Sequence, residues 1–199
     1  MPNYYHIIGL VAGLLSFSAY VLYIITTLKG KTKPNKATWW ILTLIGLMIA
    51  SSYYAEGARD TMWIALSYIA GPLIIAFLSL KYGEGSWETL DKICLAVALA
   101  SAVVWYLSSS ALLVLMINIF MDAVGLIPTI KKSYLRPENE DRFAWTIESV
   151  AGLLTLLAIE KWSFSIAVYP LYLVFINNLV LFLLYRPLIR KLKYHPRFI

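Results

Sequence analysis

One cysteine, two histidines and a charged fraction of 14% are almost all that this chain of 199 residues offers to polar chemistry. Cys94 stands alone in an apolar stretch, which excludes an intrachain disulfide and a cysteine-based metal site and leaves inert burial as its expected role. His6 and His195 lie near opposite ends of the chain. There is no Gly-rich phosphate loop and no His-Glu-x-x-His motif, so neither an enzyme nor a bound cofactor or metal is expected. Lys and Arg are also missing from the interior of every long apolar run, so an acid placed there has no built-in counterion.

What fills the chain instead is hydrocarbon. Hydrophobic residues make up 60% and the mean hydropathy is +0.72, whereas a soluble domain carries about 25% charged residues. The composition predicts an all-α integral membrane protein, because isolated helices satisfy their own backbone in lipid and the alternating segments of a membrane barrel are absent. Seven runs qualify as spans: 7–28, 38–54, 61–80, 93–107, 111–130, 143–159 and 163–185. If these alternate across the bilayer, Arg59 and Lys161 fall on one side and the other fifteen of the 17 basic residues on the opposite side. The positive-inside rule then puts the amino terminus outside and the carboxyl terminus in the cytoplasm. The net charge of +6 reports that topology and contact with anionic lipid head groups, not a nucleic-acid partner. No basic residue precedes the first run, which is therefore expected to be a span and not a cleaved signal peptide.

A passage occurs twice. Ile25-Thr26-Thr27-Leu28-Lys29-Gly30-Lys31-Thr32-Lys33-Pro34 leads into Trp39-Trp40-Ile41, and Pro128-Thr129-Ile130-Lys131-Lys132-Ser133-Tyr134-Leu135-Arg136-Pro137 leads into Trp145-Thr146-Ile147. At an offset of 103, Lys29, Lys33 and Pro34 match Lys132, Arg136 and Pro137. The expected organisation is a first three-helix repeat at 1–91, a linking helix within 92–110, a second three-helix repeat at 111–185 and a basic cytoplasmic tail at 186–199. One linking span keeps the two repeats parallel. Repeats of this kind build transporter folds, with the binding site between them.

The 3+1+3 plan resembles that of the SWEET and PQ-loop transporters. Pro128-Thr129 followed by Lys131-Lys132 is similar to the Pro-Gln dipeptide and basic cluster of that family, with Thr129 in place of the glutamine and Ile25-Thr26 at the corresponding place in the first copy. The resemblance implies alternating access, with Pro128 first, and Pro72 and Pro170 beside it, as hinges. Proline is also simply frequent in membrane helices. Nicotinamide riboside carriers and the KDEL receptor share the architecture, so fold does not by itself assign function.

Polar groups inside the runs narrow the choice, because ionisable residues in hydrocarbon are costly and usually serve a task. Asn118 and Asp122 are four residues apart in the fifth run and share a face. Glu148 lies about a turn and a half into the sixth, Asn177 and Asn178 near the middle of the seventh, and Ser67 and Tyr68 in the middle of the third. At the repeat offset Asp122 corresponds to Ala19 and Glu148 to about Thr43, so both acids belong to one half only. Asp122 is read as a proton acceptor or cation ligand, against a neutral acid bonded between helices, and Glu148 as a second coupling group. Asn118, Asp122, Asn177, Asn178, Tyr68, Ser67 and Tyr172 form the candidate substrate site. Gly46, Gly71, Gly125 and Gly152 are expected to let helices approach, and Trp39, Trp40 and Trp145 to lie in the aromatic belt.

The expected function is secondary transport or facilitated movement of a small polar solute, a sugar, nucleoside-like compound or cationic metabolite, with proton coupling through Asp122. The competing class is a non-transporting receptor, scaffold or assembly factor. A multi-pass protein of a bacterial inner membrane fits the sequence, and a homo-oligomer is compatible with it.

Overall fold

The computed structural model describes residues 4–30, 33–34, 36–83, 86–87, 89–135, 137 and 141–194, without the side chains of 90, 91, 128, 131, 132 and 188–194. Of the residues singled out above, Lys31, Thr32, Arg136, His195 and the side chains of Pro128, Lys131 and Lys132 lie outside this description.

The apolar runs fold as seven α-helices, with no strand among the described residues: α1 (Tyr4–Leu28), α2 (Lys36–Ala55), α3 (Met62–Tyr82), α4 (Thr89–Ser108), α5 (Ala111–Leu135), α6 (Arg142–Leu157) and α7 (Phe164–Tyr194). Four stretches, Tyr4–Leu28, Lys36–Ala55, Met62–Tyr82 and Phe164–Pro187, are long and apolar enough to cross a membrane and mark the chain as membrane-associated. Gly30 and Gly57 end α1 and α2 in the left-handed region, at φ 69° and 99°, where a side chain would be strained. Asp141 opens α6 as its N-cap, accepting from the amides of Phe143 at 2.8 Å and Ala144 at 3.1 Å.

Three helix ends differ from the sequence expectation. The α5 helix continues to Leu135, so the Pro128 motif is helical backbone and not the start of a loop. The α6 helix stops at Leu157, where the Ala158 amide shares three carbonyls in a tightening last turn. The α7 helix runs through Pro187 to Tyr194, so the first part of the basic tail is helical.

Small residues set the packing. The buried positions of α1 are Gly9, Ala12, Gly13, Ser16, Ala19 and Thr27, a seam without bulk that lets α1 lie directly on its neighbours. A Cβ on Gly13 would sit 2.6 Å from the Trp63 carbonyl oxygen of α3, and one on Gly46 of α2 2.6 Å from that of Tyr68. Larger residues fill the centre: Ile41, Ile45, Ile49 and Tyr53 of α2 meet Ile64 of α3, Leu115 and Ile119 of α5, and Tyr169 and Leu173 of α7. Exposed Leu14, Phe77, Phe120, Phe175 and Phe182 coat the outside, the reverse of a water-soluble bundle.

The neighbour pattern has an internal regularity. α3 packs on both α1 and α2, α7 packs on both α5 and α6, α1 packs on α6, α2 on α5, α2 touches α7 and α3 touches α6. Exchanging α1, α2 and α3 for α5, α6 and α7 leaves these pairs unchanged. α4 stands apart against α2 and α5, and α3 and α7 do not approach each other.

Burial is uneven along the bundle. At the end carrying the α1–α2 and α5–α6 connections, α1, α5 and α6 each have an unburied stretch, beside Thr27, Ala37, Ile41, Ser79, Ser133 and Leu184, which stay buried there. No described residue is buried on α1 from Tyr20 to Thr26, on α5 from Asp122 to Ile130, or on α6 from Arg142 to Ile147. At the opposite end Tyr53, Ala58, Thr61, Thr155, Ala158 and Tyr169 are all buried. The Tyr53 hydroxyl bridges this closed end, donating to the Ile166 carbonyl at 2.7 Å and lying 2.8 Å from Thr61 Oγ1.

Candidate functional site

Glu148 sits at the level where the open and closed parts of the bundle meet. It is the first buried residue of α6, 9% exposed, and helices from both halves of the chain supply its partners. Ser16 of α1 lies 3.1 Å from Oε1 and 3.0 Å from Oε2. Tyr68 of α3 donates to Oε2 at 3.1 Å. Ser67, next to Tyr68, stands 2.8 Å from Ser16 Oγ and 2.7 Å from the Ile64 carbonyl oxygen. Asn177 of α7 donates to the Glu148 backbone carbonyl at 3.2 Å. These hydroxyl donors hold the carboxyl without a countercharge, since the one ion pair among the described residues, His6 with Asp60, lies elsewhere. Hydrogen bonds to a carboxyl removed from water are worth more than at a surface, because leaving such a group unmade is costly.

The second acid occupies a separate place. Asp122 accepts from the Tyr172 hydroxyl of α7 at 2.5 Å. It lies on the face of α5 that also carries buried Leu115 and Ile119, yet keeps partial exposure itself. Tyr20 of α1 and Tyr169 of α7 lie within electrostatic reach of both carboxyl groups. The Tyr20 ring meets the Tyr68 ring edge-on, with centroids 5.8 Å apart and planes at 85°. Gly71 makes that placement feasible: a Cβ there would stand 2.2 Å from Tyr20 Cγ.

Of the residues read from the sequence, Tyr68, Ser67, Glu148 and Asn177 come together, and Asp122 joins Tyr172 beside them. Asn118 points elsewhere, donating to Ser101 of α4 and to the Val114 carbonyl, each at 2.9 Å. Asn178 is engaged by Ser149 of α6 at 2.9 Å and donates to the Val174 carbonyl at 2.8 Å. Pro72 and Pro170 are buried within α3 and α7, and Pro128 lies on α5 one turn beyond the exposed Gly125. Gly125 faces open space and marks no close approach, while Gly152 lies against the α7 backbone, where a Cβ would stand 3.5 Å from the Val174 nitrogen. Trp39 packs tilted against Tyr23 and Trp40 edge-on against Phe77.

Ser16 and Tyr20 escape a reading of the sequence. A serine and a tyrosine in an apolar helix carry no signal of their own, although their four-residue spacing puts both on one face of α1. A surface groove of about 590 Å³, lined by Met48, Ala102, Trp105, Tyr106 and Ser109, lies against α2 and α4 and holds neither acid. Comparison of the chain with protein-family models, with curated proteins and with solved structures returns no match.

Proposed function

We propose that this protein is a multi-pass carrier of the SWEET and PQ-loop type that moves a small polar solute by alternating access. Seven spans would be arranged as two parallel three-helix units joined by α4, with the amino terminus outside and the open end of the bundle facing the cytoplasm of a bacterial cell. The exchange regularity among helix neighbours supports two equivalent units. The unburied stretches of α1, α5 and α6 at the inner end support an access route there, beside helices that stay packed through Thr27, Ser79, Ser133 and Leu184.

A single observation carries the reading: Glu148 belongs to one unit and takes its donors, Ser16 and Tyr68, from the other. A polar contact across a moving interface is where a carrier binds its cargo. The solute would enter the crevice beside Tyr20, Tyr68 and Asp122, and rocking of the units about the segments containing Pro72, Pro128 and Pro170 would transfer access. Asp122 and Glu148 remain the coupling candidates, and the geometry favours Glu148 because it alone spans the two units.

Flux in proteoliposomes tests this. A panel of sugars, nucleosides, amino acids and organic cations should include one that moves saturably, with Glu148→Gln lowering its rate at least tenfold and Asp122→Asn less. Folding would be checked by a melting temperature within a few degrees of the parent. No movement of any class, with both variants changing only the melting temperature, would sink the carrier reading and leave a receptor or scaffold whose polar groups fasten helices.

A further inference from the structure

Ser67, Ser16 and Glu148 form a line of hydroxyls whose direction can reverse without moving a heavy atom. With the carboxyl ionised, Ser67 donates to Ser16 at 2.8 Å, Ser16 donates to the carboxylate at 3.0 to 3.1 Å, and Tyr68 donates to Oε2 at 3.1 Å. With the carboxyl protonated, the acid donates to Ser16, Ser16 donates to Ser67, and Ser67 turns to the Ile64 carbonyl, 2.7 Å away. Every donor has an acceptor in both states, which buried polar groups require. A group whose hydrogen bonding is complete with and without its proton is built to gain and lose one.

The surroundings say what replaces the proton. The titratable groups facing Glu148 are Tyr20 of α1, Tyr68 of α3 and Tyr169 of α7. Asp122 of α5 is within electrostatic reach of Tyr20 and Tyr169, and no described Lys, Arg or His pairs with either acid. An ionised carboxylate here has only neutral hydroxyl donors, so a mobile cation would supply the countercharge that no described residue provides. The perpendicular Tyr20 and Tyr68 rings offer aromatic walls, which suit an alkylammonium better than a metal ion wanting six or more oxygens.

We propose that the site takes a small organic cation of the amine or quaternary ammonium type and exchanges it for the proton of Glu148, one for one. This rests on the carrier reading above. On the loading side the Glu148 O–H bond breaks, its proton passes to water in the crevice, and the cation pairs with the carboxylate left behind. On the far side the cation leaves and water returns a proton. The carboxyl stays neutralised throughout, so neither unit carries bare charge across the membrane interior.

The full-length protein can be tested with tetramethylammonium as cationic probe and glucose as neutral comparison. In weakly buffered detergent solution, saturating tetramethylammonium should release about one proton per protein bound, and its affinity should fall as pH is lowered, because proton and cation compete. In proteoliposomes a proton gradient of higher acidity inside should drive its uptake. Glu148→Gln should abolish proton release, and Tyr20→Leu should weaken binding about tenfold while leaving the proton stoichiometry alone. Binding without proton release, or proton release that persists in Glu148→Gln, overturns the exchange. Saturable movement of glucose with no binding of tetramethylammonium overturns the cation site but keeps the carrier. Failure of every probe to bind or move overturns both.

Discussion

At Gly71 the absence of a side chain has a direct structural use, because the ring of Tyr20 occupies the space a methyl group would need. Gly71→Ala should push that ring away from Tyr68 and dismantle one wall of the site. Overpacking of this kind typically costs about 1–3 kcal/mol, so a lowered melting temperature is expected together with a loss of solute uptake larger than the loss of folded protein. Unchanged uptake would show that Tyr20 does not line the site. At this scale the sequence reveals acids better than their partners. Glu148 and Asp122 stand out because carboxyls are rare in apolar runs. Ser16 does not, since its pairing with Glu148 joins residues 132 positions apart and no periodicity predicts which faces of α1 and α6 will meet.

Among elements, the α2–α7 contact is the one that holds the closed end. Tyr53 is fully buried, donates to the Ile166 carbonyl, is bonded to Thr61, and packs edge-on against Tyr169 at 5.4 Å. Tyr53→Phe keeps the ring and removes the hydroxyl, leaving Ile166 and Thr61 short of a partner at a cost of about 1–3 kcal/mol. If that end must part during transport, a cysteine at Ala58, in a chain whose Cys94 has been replaced by alanine, should react several-fold faster with an impermeant maleimide in the Tyr53→Phe background. Equal rates would mean that the hydroxyl does not hold the closure. Helix positions are legible in the apolar runs because backbone satisfaction in lipid leaves few alternatives. Helix ends are not. The fifth apolar run ends at 130, yet α5 continues to Leu135, and the last turns of α7 pass through Pro187 where a single missing amide is tolerable.

For the whole molecule, the placement of basic residues and the neighbour pattern make independent statements that can be compared. The proposed topology puts Lys33 inside and Lys161 outside. Single cysteines at these two sites, again without Cys94, should divide cleanly when intact cells meet an impermeant thiol reagent: labelling at 161 and none at 33. The opposite result would invert the protein, and labelling at both would remove a span from the count. The repeated loop pointed to two three-helix units, but not to a neighbour order in which α3 packs on both α1 and α2 and α7 on both α5 and α6. That order depends on which faces carry small residues, and only packing reveals it.

If α6 crosses the bilayer as proposed, its 16 residues supply about 24 Å of helix at 1.5 Å per residue, against a hydrocarbon layer of about 30 Å. Either the bilayer pinches beside it or water reaches in past the partly exposed turns before Glu148. Both outcomes thin the insulating layer at the depth of one carboxyl. The electrical potential across the membrane then falls over a shorter path there than elsewhere in the bundle, so an ion at Glu148 feels a locally steepened field, and the least imposing helix of the seven becomes the place where voltage acts hardest.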